Sequence, residues 1–390
     1  MKHARLAAVA ICVTPLMVPG IAAAHTWHVA KDGSGDFTVI QDAVDAASPG
    51  DTIWIHAGRY DEVIHNYAPW GTGSTMRADV HVAITKDNLT LQGDGAGVTI
   101  IGAAATPPPP PSFEHHGISV TFVYATSLTI RDLQIEHVRK GVYGICPDLL
   151  VENCAFANIV VMGMQLDTTH ESIVQDCMFT ACGDYGLGAH NSTNELLVSR
   201  CQFNGRGVVF AGVANAVVED CTFVGGVVAV DYQQGARGTV RNCVMTGYQN
   251  YGIVSNSGAR MHFEHCELSN GACGLWVCDQ NAYATGANSV FSNHHYTTIR
   301  MSHGHLELHD SVILNGGGWS VLCEGGSMAP YHADLTGNSW GTVDAEQIAA
   351  WIWDRTDDPN VSCTIDYIPF NGPVAVEPHT WTDVKGLFRE

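Results

Sequence analysis

From residue 133 onward, one short phrase of alternating apolar and polar positions returns at a nearly constant interval. It reads Val-Glu-Asn-Cys154-Ala-Phe156, Val-Gln-Asp-Cys177-Met-Phe179, Val-Ser-Arg-Cys201-Gln-Phe203, Val-Glu-Asp-Cys221-Thr-Phe223, Val-Arg-Asn-Cys243-Val-Met245 and Phe-Glu-His-Cys266-Glu-Leu268. Leu133 holds the cysteine's place one repeat earlier, and Ser289 and Ser311 hold it afterwards. Successive steps are 21, 23, 24, 20, 22, 23, 23 and 22 residues. Short β-branched phrases at that period, separated by Gly and Asn turns, predict a β-solenoid. The Leu/Asn framework of leucine-rich repeats is absent, and the irregular step disfavours the hexapeptide left-handed helix. Crossover chirality favours a right-handed parallel β-helix.

A second strand is expected in each coil, starting near Gly144, Gly163, Gly186, Gly207, Val227, Gly252, Gly274, Thr298 and Ser320. Alternation sends Leu166, Phe210, Val230, Val277 and Met301 inward. Equivalent positions on neighbouring coils stack about 4.8 Å apart. The six cysteines therefore predict an inward ladder of buried thiols acting as small hydrophobes, spaced beyond the usual disulfide Cβ range. Cys146, Cys182, Cys273, Cys278, Cys323 and Cys363 lie off it, and the sequence does not pair them. Both open ends need caps. Thr38 and Gln41 read as a capping-box pair opening an amphipathic segment to about Ala47, and Asp344 and Gln347 as the start of a helix through Trp353. The run Pro107–Pro111 cannot join a ladder and is expected in a loop.

Composition changes the picture at the N-terminus. Lys2 and Arg5, an apolar run from Leu6 to about Val18, Pro19-Gly20 and Ala22-Ala23-Ala24 form the pattern of a secretory signal peptide. The run is too short to span a bilayer, and no later stretch is long enough. The reading is a signal peptide over residues 1–24 and one β-helix domain over 25–390. Its N-terminal cap and first coil occupy 25–65, its coils 66–340, and its C-terminal cap and tail 341–390. The expected location is secreted, periplasmic or at the cell surface, as a monomer. Without Lys2 and Arg5, 16 basic residues face 39 acidic ones. Such a surface excludes nucleic acid as a partner and counts against strongly anionic substrates without a bridging cation or a basic patch.

Val29-Ala-Lys-Asp-Gly-Ser-Gly-Asp-Phe37 and Gly58-Arg-Tyr60-Asp-Glu62-Val63 resemble the opening of pectin methylesterases. With the turn Gly93-Asp-Gly95 they resemble secreted bacterial right-handed β-helix proteins of the pectin-lyase-like superfamily. The stretch Asn338-Ser-Trp340-Gly-Thr342 and the run from Asp357 to Phe370 are similar to the ends of such proteins. The resemblance implies the fold and no particular reaction. The Gln-Asp pair, the second Asp and the Arg-Pro-Trp motif of the methylesterases are missing, so that activity is not expected. Polygalacturonase motifs are missing too, and Lys140 is the only lysine between Lys86 and Lys385 to serve as a lyase base. Tyr143-Gly144-Ile145-Cys146-Pro147-Asp148 is similar to the Tyr-Gly-x-Asp-Pro motif of alginate epimerases, with Cys146 where the acid would stand.

Chemistry is expected on the outward columns beside the second strand. Four residues after each strand start, the column includes Asp148, Asp167, His190 and Asp231. Asp148 and Asp167 on adjacent coils would form a carboxylate pair with split pKa values, near the 5 Å separation that retaining glycoside cleavage uses. The competing reading is that Asp and Asn there cap turns. Trp276 and Arg300, on neighbouring coils, are expected to stack and orient a sugar, with Tyr232 beside them. His305, Glu307 and His309 alternate with Leu306 and Leu308 on one exposed face and are the candidate ligands of a divalent metal such as zinc or copper. The leading reading is an exported β-helix that binds a polysaccharide or cell-surface glycan and acts on it as a hydrolase or lyase. The alternatives are a noncatalytic surface protein and an exported metal-binding β-helix.

Overall fold

A computed structural model describes residues 24–69, 76–105, 114–120, 127–145, 148–167, 171–191, 195–325 and 330–372. The signal-peptide reading, the Pro107–Pro111 loop and Cys146 lie outside them. The chain winds as a parallel β-solenoid of three sheets, with fourteen strands in sheet 1, eleven in sheet 2 and thirteen in sheet 3. One coil shows the plan. Asn215–Glu219 lies in sheet 1, Thr222–Val224 in sheet 2 and Val228–Gln233 in sheet 3, and Arg237–Arg241 then returns to sheet 1. Every strand pairing is parallel except that of Ile64–Tyr67 with Ala78–Ile84.

The repeated phrase marks the corner between sheets 1 and 2. The residue before each ladder position, from Asp132 through Asn153, Asp176 and Arg200 to Asp310, has φ between 48° and 58°. Asn and Asp tolerate that left-handed conformation best, so the corner selects them. The turn sends the next side chain inward, and Cys154, Cys177, Cys201, Cys221, Cys243 and Cys266 are all buried and free. These thiols do more than fill space. Each lies 3.1–3.3 Å from the carbonyl oxygen two residues earlier. The Cys201 amide donates to Cys221 Sγ at 3.4 Å, as the Cys266 amide donates to Ser289 Oγ at 3.1 Å. Serine therefore continues the ladder because a hydroxyl makes the same two bonds.

Two positions further, Phe156, Phe179, Phe203 and Phe223 stack with centroids 4.7–4.8 Å apart and nearly parallel rings. The glycine opening the sheet 3 strand follows from that stack. A Cβ on Gly163 would stand 2.7 Å from the Phe179 ring and 2.5 Å from the Gly186 carbonyl oxygen.

The ends depart from expectation. The first helix is Ile40–Ala46, with Val39 at its N-cap and no side-chain cap. Gln41 instead bonds the Ala83 amide and carbonyl at 2.9 and 3.2 Å, tying the helix to the rim of sheet 3. The second helix covers only Ala345–Ala349, capped by Asp344, because Ile352–Trp353 pairs as the last strand of sheet 3. A disulfide joins Cys323 to Cys363, linking sheet 3 to sheet 1 at this end. Among the described residues no helix is long and apolar enough to cross a membrane.

Candidate functional site

The outward face of sheet 3 carries two neighbouring columns. The central one runs through Gln165, Gly188, Val209, Asp231, Val254, Trp276 and Arg300. Beside it, Asp167 stands opposite His190, and His190 opposite Ala211 and then Gln233. Asp231 thus faces outward but lies one column away from the place the repeat gave it. Val230 pairs with both Val208 and Ile253, so Ala229 occupies the glycine position assigned to Val227. Gly225 and Gly226, with φ of 72° and 74°, lengthen the turn by the missing two residues.

Asp148 leaves the face altogether. The sheet 3 strand of its coil ends at Gly144, and Asp148 opens the next strand, Asp148–Glu152 in sheet 1, opposite Ser127. The Asp148–Asp167 pair is therefore not formed. Tyr232 also fails as a surface residue. It follows the outward Asp231, so alternation turns it into the core, where its hydroxyl donates to the Ala216 carbonyl at 2.6 Å. Gly238 leaves the space that this hydroxyl fills.

Asp231 is 8% exposed. Its Oδ2 accepts a hydrogen bond from the Tyr185 hydroxyl at 3.1 Å, while Oδ1 is buried with no hydrogen-bond partner. Burial pushes its pKa up to about 6, with the Tyr185 bond acting in the opposite direction. Burial, and then the Asp231 charge, raise Tyr185 in turn. The Arg206 guanidinium lies 6.0 Å from the Tyr185 ring centroid. Asp167 is raised by burial too, against the charges of His190 and Lys140. Three coils and two strand residues separate the backbones of Asp167 and Asp231, about 16 Å by strand geometry. That is too far for either carboxylate arrangement of glycoside hydrolysis. Sequence reasoning missed Tyr185, which reaches Asp231 from two coils away and has no signal in the repeat.

Trp276 is half-buried and already engaged. Tyr251, from the coil before, stacks on it at 4.6 Å and 21°, and the Arg300 guanidinium, from the coil after, lies over it at 4.9 Å. Its Nε1 donates to Ser302 Oγ at 3.0 Å. Arg300 donates twice to Glu324 Oε2, at 2.9 and 2.6 Å, and once to the Tyr251 hydroxyl at 2.7 Å. The stacking and ion pairing expected of a sugar are thus made within the protein, by Tyr251 and Glu324.

His305, Glu307 and His309 share an outward face, but their donors diverge. His305 Nε2 meets Glu307 Oε1 at 3.1 Å, whereas His309 Nδ1 meets the Thr336 carbonyl at 2.8 Å. Alternate residues of a strand stand about 6.8 Å apart, too far to share one ion without reaching side chains. Among the described residues no three His, Cys, Asp or Glu side chains converge as a metal site requires. His305 instead lines a pocket of about 220 Å³ with His303, His332 and Gln280.

The sequence profile of the right-handed β-helix region matches residues 87–207 and 204–362, and the chain belongs to that family. No curated protein matches it in sequence. Among solved structures it is similar to a mannuronic-acid-specific polysaccharide family 6 lyase from human gut microbiota. That pair has 10% identity and a TM-score of 0.55, over 88% of this chain and 91% of the other. A family GH136 lacto-N-biosidase from Eubacterium ramulus is similar at 9% identity and a TM-score of 0.55, over 90% of this chain and 68% of its own. At such identities the likeness shows the fold alone.

Proposed function

We propose that this chain is an exported β-helix protein that binds a polysaccharide along the outward face of sheet 3 and acts on it through Asp231. The observation that carries the reading is the Asp231 carboxyl, buried on the outward face between Val209 and Val254, with one oxygen unpartnered and a pKa near the range a general acid needs. Tyr185 orients it through the hydrogen bond to Oδ2. His190 and Asp167 stand one column away as polar contacts. Both similar structures are named as enzymes acting on carbohydrate, which agrees with this reading. A noncatalytic glycan-binding role is the second reading, favoured by the wide separation of Asp167 from Asp231. A glycan array followed by reducing-end and unsaturated-product assays separates the two. Asp231→Asn is expected to lower turnover by about 10²–10⁴-fold with binding kept. Binding without products from the wild-type chain leaves the noncatalytic role, and no glycan binding at all defeats both.

A further inference from the structure

The first strands of sheet 3 carry a cluster of histidines that the Asp231 site does not use. It lies five coils from Asp231, about 24 Å along the axis. Asp79 and His81 project from the strand Ala78–Ile84, His115 from its neighbour Glu114–Val120, and His65 from the antiparallel strand Ile64–Tyr67. His81 is 5% exposed, and its Nδ1 lies 2.8 Å from the Glu62 carbonyl oxygen. A carbonyl only accepts, so Nδ1 carries the proton and Nε2 is left with its lone pair. His115 Nε2 stands 3.2 Å from that lone pair.

We propose that His81 and His115 bind a divalent d-block cation, with zinc as the reference ion, through their two Nε2 atoms. Two nitrogens each 2.0–2.1 Å from a tetrahedral zinc lie about 3.3 Å apart, close to the spacing found here. The surroundings are those of a ligand pair. The Glu62 carbonyl fixes the His81 tautomer from behind, as outer-shell acceptors do for metal-bound imidazoles. Asp79 stands opposite His115 in the register, held by His65 Nδ1 at 3.0 Å and the Asn66 amide at 3.1 Å. Among the described residues no third side chain converges with these two. The ion would therefore keep open positions for water or for an oxygen of a bound ligand.

The test uses the whole metal-stripped chain and zinc alone, titrated calorimetrically against a competing chelator. One zinc per chain is expected, with affinity falling at least tenfold in both His81→Gln and His115→Gln while melting curves show the fold retained. His115 is half-exposed, so His115→Gln carries the test if the buried His81 variant does not fold. Cobalt substitution adds a visible d–d spectrum that should disappear in the same variants. Unchanged uptake in His115→Gln would overturn the proposal. So would loss of uptake in His28→Gln alone, because His28 Nδ1 and His56 Nε2 form a second imidazole pair 3.0 Å apart.

Discussion

Moving a carboxyl group from water to the position of Asp231 disfavours its charged form, and stability must carry the mark of that. In the unfolded chain the group releases its proton near 3.8, and in the fold near 6. Below pH 3.8 both states are protonated and burial costs nothing. Between the two values the unfolded chain loses its proton while the folded one keeps it, so stability falls as pH rises. Above 6 the buried charge costs about 3 kcal/mol. Asp231→Asn should therefore match the wild type near pH 4 and exceed it in unfolding free energy at pH 8. Parallel denaturation profiles between pH 4 and 7 would count against this assignment. The ladder gives a second residue-scale contrast. Cys221→Ser keeps both hydrogen bonds of the thiol and should cost about 1 kcal/mol. Cys221→Asp places a carboxylate at a fully buried position and should cost several kcal/mol or abolish folding. Equal melting temperatures for the two variants would mean the ladder does not face the core. At this scale alternation made facing legible, and it gave the outward side of Asp231 correctly. It could not give the column, because a two-residue slip preserves parity and Gly225-Gly226 hides the slip in a turn.

Elements are held by what neighbouring coils offer, and this reverses the expected role of Trp276. From sequence it is an exposed platform whose removal leaves the fold intact. In the structure it is the middle of a stack linking three consecutive strands, Tyr251–Ser255, Cys273–Val277 and Thr297–Met301. Trp276→Ala should therefore destabilise by about 2 kcal/mol, through loss of one aromatic stack and one cation–π contact. Thermal unfolding of Trp276→Ala beside Tyr251→Ala and their double variant checks this. Additive losses would mean that the rings do not support one another. The coil plan was legible because inward positions repeat a narrow set of residues, with Phe stacking demanding Gly in the adjacent strand. The side-chain pairing on the outward face was not, since Tyr185, Tyr251 and Glu324 reach across coils from positions that vary freely. The helix ends failed for a related reason. Gln41 had an acceptor and a donor available on Ala83 that its own helix did not provide, and Trp353 had a sheet edge to join.

In a solenoid each coil contacts only its neighbours, so stability is local and the ends are its weak points. The Cys323–Cys363 bond spans 40 residues and joins the next-to-last strand of sheet 3 to the last strand of sheet 1. Closing a loop of that length restricts the unfolded chain by about 4 kcal/mol on the chain-entropy account. Because the interactions are nearest-neighbour, its removal should act on the end and fade inward. Cys323→Ser is expected to speed amide exchange in Trp319–Cys323, Tyr331–Asp334 and Cys363–Asp366, and to leave the strands around Cys201 and Cys221 as protected as before. Denatured protein labelled without reductant should still yield at least the six ladder thiols, so the two cysteine populations can be counted apart. Uniform loss of protection along the whole chain would contradict nearest-neighbour coupling. It would make the molecule one cooperative unit, in which a change at the C-terminal end reaches the Asp231 face as strongly as its own coil.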